Sequence, residues 1–426
     1  MKVAVVGAGP SGLTALKTLR EAGLDARAFE AGPRIGGQWI LDNPSGTSAA
    51  YRSLRTNTNR AMSRFSDFAF PDEFPEYPSH VRMTAWLESY ARQFGLLDQI
   101  ALEARVERVV PEPDGGFVVT ASGRPSERFD AVVAATGNLW DPVRPELPGI
   151  FDGPTLHSKD YRDPTSPLDL RGKRVLVVGL GNSGCEIAVE LSKTAHVLLS
   201  ARSGNFIFPR LPADRPAPPH PDEPIPGLFR LLPTGLRDAL FRQIFTRALR
   251  GMTSGLPTPE SVGLPPAPRD PFEKRAVVND EILGLLGEGK IGAKPGVRAL
   301  RGRRVEFSDG SIETLDAILF ATGYRFSLPY LSREVLGVDD ATDLRLYRGI
   351  LHPRHPRLFV IGVMRVFCSI WPMAEQQAKW VAARLLDRFP LPDPRTLERR
   401  AQPILRGPLR HCPFLAHDLR REAGGR

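Results

Sequence analysis

The sequence predicts an α/β fold of two Rossmann-like dinucleotide-binding domains, each of the three-layer ββα type, with the second inserted into a discontinuous first. Three observations predict it. Two glycine turns of one type, Gly7-Ala8-Gly9-Pro10-Ser11-Gly12 and Gly179-Leu180-Gly181-Asn182-Ser183-Gly184, each follow a short β-branched run and open an apolar-periodic stretch. Two apolar strand-like runs, one after each turn, end in Thr-Gly, at Thr136-Gly137 and Thr322-Gly323. A third apolar run, Leu358-Phe359-Val360-Ile361-Gly362, arrives only after the second unit is complete. A lone GxGxxG arises by chance, whereas two copies in strand–turn–helix settings argue for paired nucleotide sites.

In the first unit, Lys2-Val3-Ala4-Val5-Val6 reads as a strand, 13–22 as its helix and 26–30 as the next strand. The first glycine of such a turn bends the chain, the second admits a pyrophosphate and the third lets helix and strand pack. The pyrophosphate then meets the free N–H groups of the helix N-terminus. Glu30 ends the second strand at the spacing of roughly 20 residues expected of an acid that binds ribose hydroxyls. A carboxylate there repels a 2′-phosphate, so this site suits FAD or NAD. The following glycine-rich loop, with Arg34, Gln38 and Trp39, can lie along a flat cofactor. Next come the segment 51–59, an aromatic stretch over 65–77 and a helix over 84–94. Alternating runs at 104–110 and 116–121 read as antiparallel strands, and 129–137 as a buried one.

In the second unit the strand is 174–178, and the helix runs through Cys185, Ile187, Ala188 and Leu191. The strand over 196–200 ends in Ala201-Arg202-Ser203, with no acid. An arginine there makes paired, charge-assisted bonds to a phosphate, so NADPH is expected over NADH. The expected partition is a first FAD-domain segment over 1–148, an NADPH domain over 149–315, the returning FAD segment over 316–400 and a surface tail over 401–426. Residues 205–275 form an insertion, proline-rich over 209–233 and 257–271. Between these, Leu236, Leu240, Phe241, Ile244, Phe245 and Leu249 make an apolar stripe at helical spacing, with Arg237, Arg242, Arg247 and Arg250 alongside. A membrane-surface helix, a lid over the substrate route and packing on the protein's own surface are all open readings, the last preferred. A final helix is expected over 374–386.

At 426 residues with 42% hydrophobic content, two or three cored domains are expected. The net charge of +9 comes from scattered arginines without an RNA- or DNA-binding motif, so it reads as a solvated basic surface and nucleic acid is not an expected partner. Cys185, Cys368 and Cys412 lie far apart in sequence, with no CxxC pair and no metal-ligand cluster. That argues against a disulfide-reductase flavoprotein and for a reducing cytoplasm. The first strand starts directly after Met1, which leaves no room for a signal peptide. No apolar stretch approaches the ~18 residues of a membrane span.

The stretch Phe151-Asp152-Gly153-Pro154-Thr155-Leu156-His157-Ser158-Lys159-Asp160-Tyr161 resembles the FxGxxxHxxx(W/Y) fingerprint of the flavin-containing monooxygenases, the class B flavoprotein monooxygenases that use FAD and NADPH. The order of elements is similar too: glycine turn, fingerprint, second glycine turn, Ala321-Thr322-Gly323-Tyr324. So are Val278-Asn279-Asp280-Glu281 and Pro372-Met373-Ala374-Glu375-Gln376-Gln377-Ala378. The resemblance spans residues 1–385. It implies that NADPH reduces the flavin, that O2 adds to give a C4a-hydroperoxide, and that a soft nitrogen or sulfur nucleophile of a small amine or sulfide takes the distal oxygen. Bound NADP+ is implied to protect that species.

By the same resemblance Asn57 is the candidate active-site residue. FAD contacts are implied for Gly7, Gly9, Pro10, Ser11, Gly12, Glu30, Arg34, Gln38, Trp39, Val106, Thr136, Gly137 and Gln376, with Asn279 facing the flavin or capping a turn. NADPH contacts are implied for Gly179, Gly181, Asn182, Ser183, Gly184, Arg202, Ser203 and Thr322. Phe151, Gly153, His157 and Tyr161 take the role of a linker between domains. The fingerprint closes in Tyr161-Arg162-Asp163, where the Baeyer–Villiger branch carries tryptophan followed by proline, which favours heteroatom oxygenation. A Baeyer–Villiger or hydroxylating monooxygenase is the alternative, and a non-catalytic nucleotide-sensing protein the second. No metal site is expected, and a homodimer is left open.

Overall fold

The computed structural model describes residues 1–210, 220–223, 225, 227–406 and 409–424. The prolines of the insertion that fall on 211–219, 224 and 226 lie outside the described residues. The chain begins with β1 (Lys2–Val6), α1 (Pro10–Glu21) and β2 (Asp25–Phe29). Pro10 falls in the first turn of α1, where a missing N–H breaks no helical bond. Then follow α2 (His80–Gln93), β3 (Ile100–Ala101), an antiparallel trio β4 (Val106–Pro111), β5 (Phe117–Ala121) and β6 (Glu127–Phe129), and β7 (Ala131–Ala134). The second unit comprises β8 (Gly149–Phe151), β9 (Thr155–His157), β10 (Arg174–Val178), α3 (Asn182–Leu191) and β11 (His196–Ser200). It continues through α4 (Thr234–Met252), α5 (Ile282–Gly287), β12 (Ile291–Lys294), β13 (Val297–Gly302), β14 (Arg304–Phe307), β15 (Ile312–Thr314) and β16 (Ala317–Phe320). The chain ends with β17 (Leu358–Val360), α6 (Ile370–Leu385) and α7 (Cys412–Glu422).

Two parallel five-stranded sheets result, ordered β17-β7-β1-β2-β3 and β9-β16-β10-β11-β12. Both are covered on each face, which is why β7 and β16 are apolar and buried at every position. Along β1 the two-residue period sends Val3 and Val5 into one core, with Leu13, Leu16 and Trp380. It sends Ala4 and Val6 into another, with Phe29, Phe117 and Phe129.

The structure corrects four expectations. The strand at 317–320 completes the second sheet, so the return to the first sheet begins after it and not at 316. The final helix starts at Ile370, four residues early, because Pro372 sits in its first turn, where proline is tolerated. The tail contains α7, which packs on α6 through Cys412, Ala416 and Leu419, an i, i+4, i+7 stripe. That packing brings Cys412 to Cys368 across 44 residues as a disulfide, so the cysteines are not all separate; Cys185 alone stays a buried free thiol.

The apolar stripe of α4 divides. Phe241 meets Phe414 at 5.2 Å and Phe245 meets Phe367 at 4.4 Å between ring centroids, while Leu236 and Ile244 remain 56% and 49% exposed. Among the described residues no helix is long and apolar enough to cross a membrane, and no group of His, Cys, Asp or Glu could hold a metal ion.

Candidate active site

In each parallel sheet one strand, β1 in the first and β10 in the second, runs at its C-terminal end into a glycine turn. Gly7 and Gly179 adopt φ of +104° and +122°, a region that side chains disfavour. The helices that follow, α1 and α3, open on Gly9 and Gly181 with no capping side chain, so their first N–H groups are free for an anion. Beside the first turn, Gly37 stands so near that a β-carbon on it would lie 3.1 Å from the Gly9 Cα, leaving two bare backbone faces opposed.

Glu30 is buried at the end of β2. Its Oε2 accepts the Ala8 N–H and its Oε1 the Gly32 N–H, both at 2.8 Å, so the acid ties both flanking loops to the strand. Burial pushes its carboxyl up, against the pull of those amides. Each oxygen keeps acceptor capacity for a ribose hydroxyl. At the matching end of β11, Arg202 is exposed and makes no ion pair among the described residues, and the Ser203 hydroxyl accepts from Lys274 Nζ at 2.8 Å. Lys274 is a second cation there. It comes from the far end of the insertion, 71 residues after Ser203, so spacing around the glycine turn does not reveal it.

Asn57 and Asn59 separate cleanly. Asn59 Oδ1 accepts the Met62 N–H at 3.0 Å and caps a short helix, whereas the Asn57 Oδ1 is buried with no partner among the described residues. The Trp39 indole N–H is likewise buried and without a partner among the described residues, its ring edge-on to Trp371 at 5.5 Å. Gly362, absent from the sequence-derived set, closes β17 against α1, where a β-carbon on it would stand 2.1 Å from Ser11 Oγ. Its signal was a third strand-to-glycine ending like those at Gly137 and Gly323.

Several expected contact residues are engaged within the chain. Asn279 Oδ1 accepts the N–H groups of Glu281 and Ile282, at 3.0 and 2.8 Å, and so caps α5. Gln376 donates to Asp222 Oδ1 at 2.8 Å and accepts from Arg420. Asn182 Oδ1 accepts the Val278 N–H at 2.8 Å, Thr322 donates to the Val143 carbonyl, and Arg34 pairs with Glu88 at 2.8 Å. Val106 packs in the core with Phe29 and Phe129; Thr136 and Gly137 follow β7, and Gln38 sits in a single 3-10 turn.

The fingerprint residues form a joint. A β-carbon on Gly153 would stand 2.5 Å from the Phe151 ring. His157 is fully buried at the end of β9, accepts the Lys159 N–H at Nδ1 and lies edge-on to Tyr324 at 5.4 Å. Burial first, then the charge of Arg144, hold its pKa below the ordinary value, so the ring is neutral at pH 7. Tyr161 donates to Glu190 Oε2 at 2.9 Å.

Residues 1–402 match the family model described as flavin-binding monooxygenase-like. The chain belongs to that family. Relatives of this flavin-binding monooxygenase include the flavin-containing monooxygenase 3 of Rattus norvegicus, 33% identical over 89% of this chain and 73% of its own. Dimethylaniline monooxygenase (N-oxide-forming) 2 of Macaca mulatta is 35% identical, over 93% and 75%. Among solved structures, the S-allyl-L-cysteine S-oxygenase of Allium sativum shares the fold at a TM-score of 0.71 and 22% identity, over 100% of this chain and 89% of its own. An oxidized steroid monooxygenase bound to NADP does so at 0.71 and 20%, over 100% and 98%.

The family's cofactors are FAD and NADPH, and the chemistry is NADPH-dependent monooxygenation. The residues present fit such groups. Two uncapped helix N-termini, a bare-backbone cradle at Gly9 and Gly37, and a buried donor and acceptor at Trp39 and Asn57 all call for partners that the described residues do not supply.

Proposed function

We propose that FAD is held at the first turn, by Gly7, Gly9, Ser11, Gly12 and Glu30, and NADPH at the second, by Gly179, Gly181, Ser183, Gly184 and Arg202. On this reading the enzyme transfers one oxygen atom from O2 to the nitrogen or sulfur of a small amine or sulfide. The division of labour follows from charge: a carboxylate ends β2 and an exposed guanidinium follows β11. When bound, the flavin, reduced by NADPH, supplies the activated oxygen.

The protein's own part is to bind, orient and exclude water. A soft nucleophile brings its own electron pair, so no base is needed at the reacting atom. The observation that carries the reading is Asn57: a side chain that does not ionise, held in a segment pinned to the fold with a buried acceptor that no described residue pairs. His157, which could act as an acid or base, lies in the fingerprint joint, its Nδ1 accepting the Lys159 N–H and its ring packed on Tyr324. The names of the relatives, one N-oxide-forming and one an S-oxygenase, support nitrogen and sulfur as acceptors.

The test offers the purified protein NADPH, O2 and a mixture of a thioether, a tertiary amine and a cyclic ketone. Sulfoxide or N-oxide formed with one NADPH consumed per product is the expected outcome, and Asn57→Ala is expected to keep its flavin while diverting NADPH to H2O2. A lactone as dominant product, or H2O2 alone from the unaltered protein, overturns the reading.

A further inference from the structure

Two phenols from different parts of the chain converge on one helix. Tyr161 donates to Glu190 Oε2 at 2.9 Å, Tyr51 donates to Glu186 Oε2, and the two rings meet edge-on at 6.2 Å. Glu186 and Glu190 lie one turn apart on α3, the helix opened by the second glycine turn. The other oxygen of Glu186 is paired with Arg210, whose Nη1 reaches Asp280 Oδ2 at 2.8 Å and whose backbone N–H reaches Asp280 Oδ1 at 2.6 Å. The Glu186 and Arg210 side chains are only 11% and 14% exposed. Burying an ion pair is a poor route to stability but an effective way to fix a register, because neither charge can leave its partner.

Tyr51 also leads into the segment that carries Asn57. Between them the chain is tied down twice, by the His80 N–H on the Leu54 carbonyl at 2.9 Å and the Thr56 N–H on the Pro78 carbonyl at 3.0 Å. A further tie runs from the Arg52 N–H to the Arg162 carbonyl at 2.9 Å, just past the fingerprint. A shift of α3 is therefore passed through Glu186 and Tyr51 to a stiff segment.

We propose that Glu186 is a positioning residue: by holding Tyr51 and Arg210 it locks the segment bearing Asn57 to α3, so that seating of NADP(H) on the second turn and the orientation of Asn57 are coupled. The inference rests on the reading of the two sites given above. Tyr51→Phe removes one oxygen and leaves the ring packed against Tyr161. Glu186→Gln keeps an acceptor for Tyr51 but turns an ion pair into an amide facing Arg210.

The experiment uses the full-length, flavin-loaded protein and follows backbone hydrogen exchange over residues 51–59 with and without NADP+, alongside flavin content and product formed per NADPH. In the unaltered protein NADP+ is expected to slow exchange over 51–59. In both variants that protection is expected to be lost with flavin retained, and product per NADPH to fall by up to about a hundredfold, the scale on which ångström misplacements of reacting groups act. Should Glu186→Gln fail to fold, Tyr51→Phe decides alone. Variants that keep the NADP+-dependent protection, in a protein whose unaltered form shows it, overturn the coupling and leave the cofactor reading intact. An unaltered protein that binds no NADP+ overturns both.

Discussion

Gly12 lies so close to Gly7 that a β-carbon on it would stand 1.9 Å from the Gly7 carbonyl oxygen, and Gly184 repeats the relation with Gly179 at 2.0 Å. The obstacle in each case is backbone, which cannot swing aside as a side-chain end can. Helix and strand would have to part, carrying the free N–H groups away from their ligand. Gly12→Ala is therefore expected to give colourless protein. Gly184→Ala is expected to stay yellow while its KM for NADPH rises by roughly 10- to 100-fold, the equivalent of an overpacking cost of about 1–3 kcal/mol. Flavin content and NADPH titration check this, and equal loss of flavin from both variants would show that the turns are not assigned to different dinucleotides.

Arg202 sets the second prediction. It is exposed at the end of β11, without a carboxylate partner among the described residues, and Lys274 approaches the same strand end through Ser203. A charge-assisted bond to a phosphate is worth about 1.5–3 kcal/mol. Arg202→Gln is expected to erode the preference for NADPH over NADH by roughly 10- to 100-fold, mostly through KM for NADPH. Steady-state kinetics with both coenzymes measure it. An unchanged ratio would assign the discrimination to Lys274 or to another group.

What the chain discloses before folding depends on range. The glycine turns, Glu30 and the strand-to-glycine endings are local signatures, set by backbone geometry within a few residues, and they appear in the structure where the spacing puts them. The resemblance picks Asn57 as the candidate from a segment that also holds Asn59, and the structure adds that Asn59 caps a helix while the Asn57 Oδ1 is buried without a partner among the described residues. Long-range features are silent. Nothing in the order of residues brings Tyr51 to Glu186 across 135 positions, or shows that 317–320 joins the second sheet. The amphipathic pattern in 412–419 is local, but the arginines around it, Arg406, Arg410, Arg420 and Arg421, make the segment read as a solvated tail.

The disulfide yields a third prediction. Cys368 precedes α6 and Cys412 opens α7, so the bond staples the last helix to the first sheet's cover across 44 residues. For a loop of that size the chain-entropy argument gives a stabilisation of up to about 4 kcal/mol. Reductant is expected to lower the melting temperature of the unaltered protein and to leave Cys412→Ala unaffected. The remaining thiol, Cys185, is buried and its pKa is pushed well up, so it takes no part. Equal melting temperatures with and without reductant would mean that α7 is held by packing and by Glu422, which accepts from Tyr347 at 2.6 Å and Arg348 at 2.7 Å.

His411, at the N-terminus of α7, gives the fourth. Its ring is wedged between Phe241 and Phe272, with centroids 4.4 and 4.6 Å away. Burial, and after it the charges of Arg242 and Arg237, pull its pKa from 6.5 to about 4, with Asp270 opposing weakly. Between those values the unfolded chain binds a proton that the folded one refuses. Stability is therefore fully present above pH 6.5 and is lost as pH falls toward 4, by an amount on the order of 2–3 kcal/mol from this one residue. His411→Phe keeps the ring in its aromatic setting and removes the proton. The variant is expected to unfold at a similar urea concentration to the unaltered protein at pH 7.5 and at a higher one at pH 5. His352, also pulled to about 4 by burial, still supplies an acid loss, so the variant's pH dependence should shrink without vanishing. If unfolding midpoints of the two proteins move in parallel between these pH values, the ring at 411 is solvated and the contact between α4 and the C-terminal segment is looser than the aromatic distances indicate.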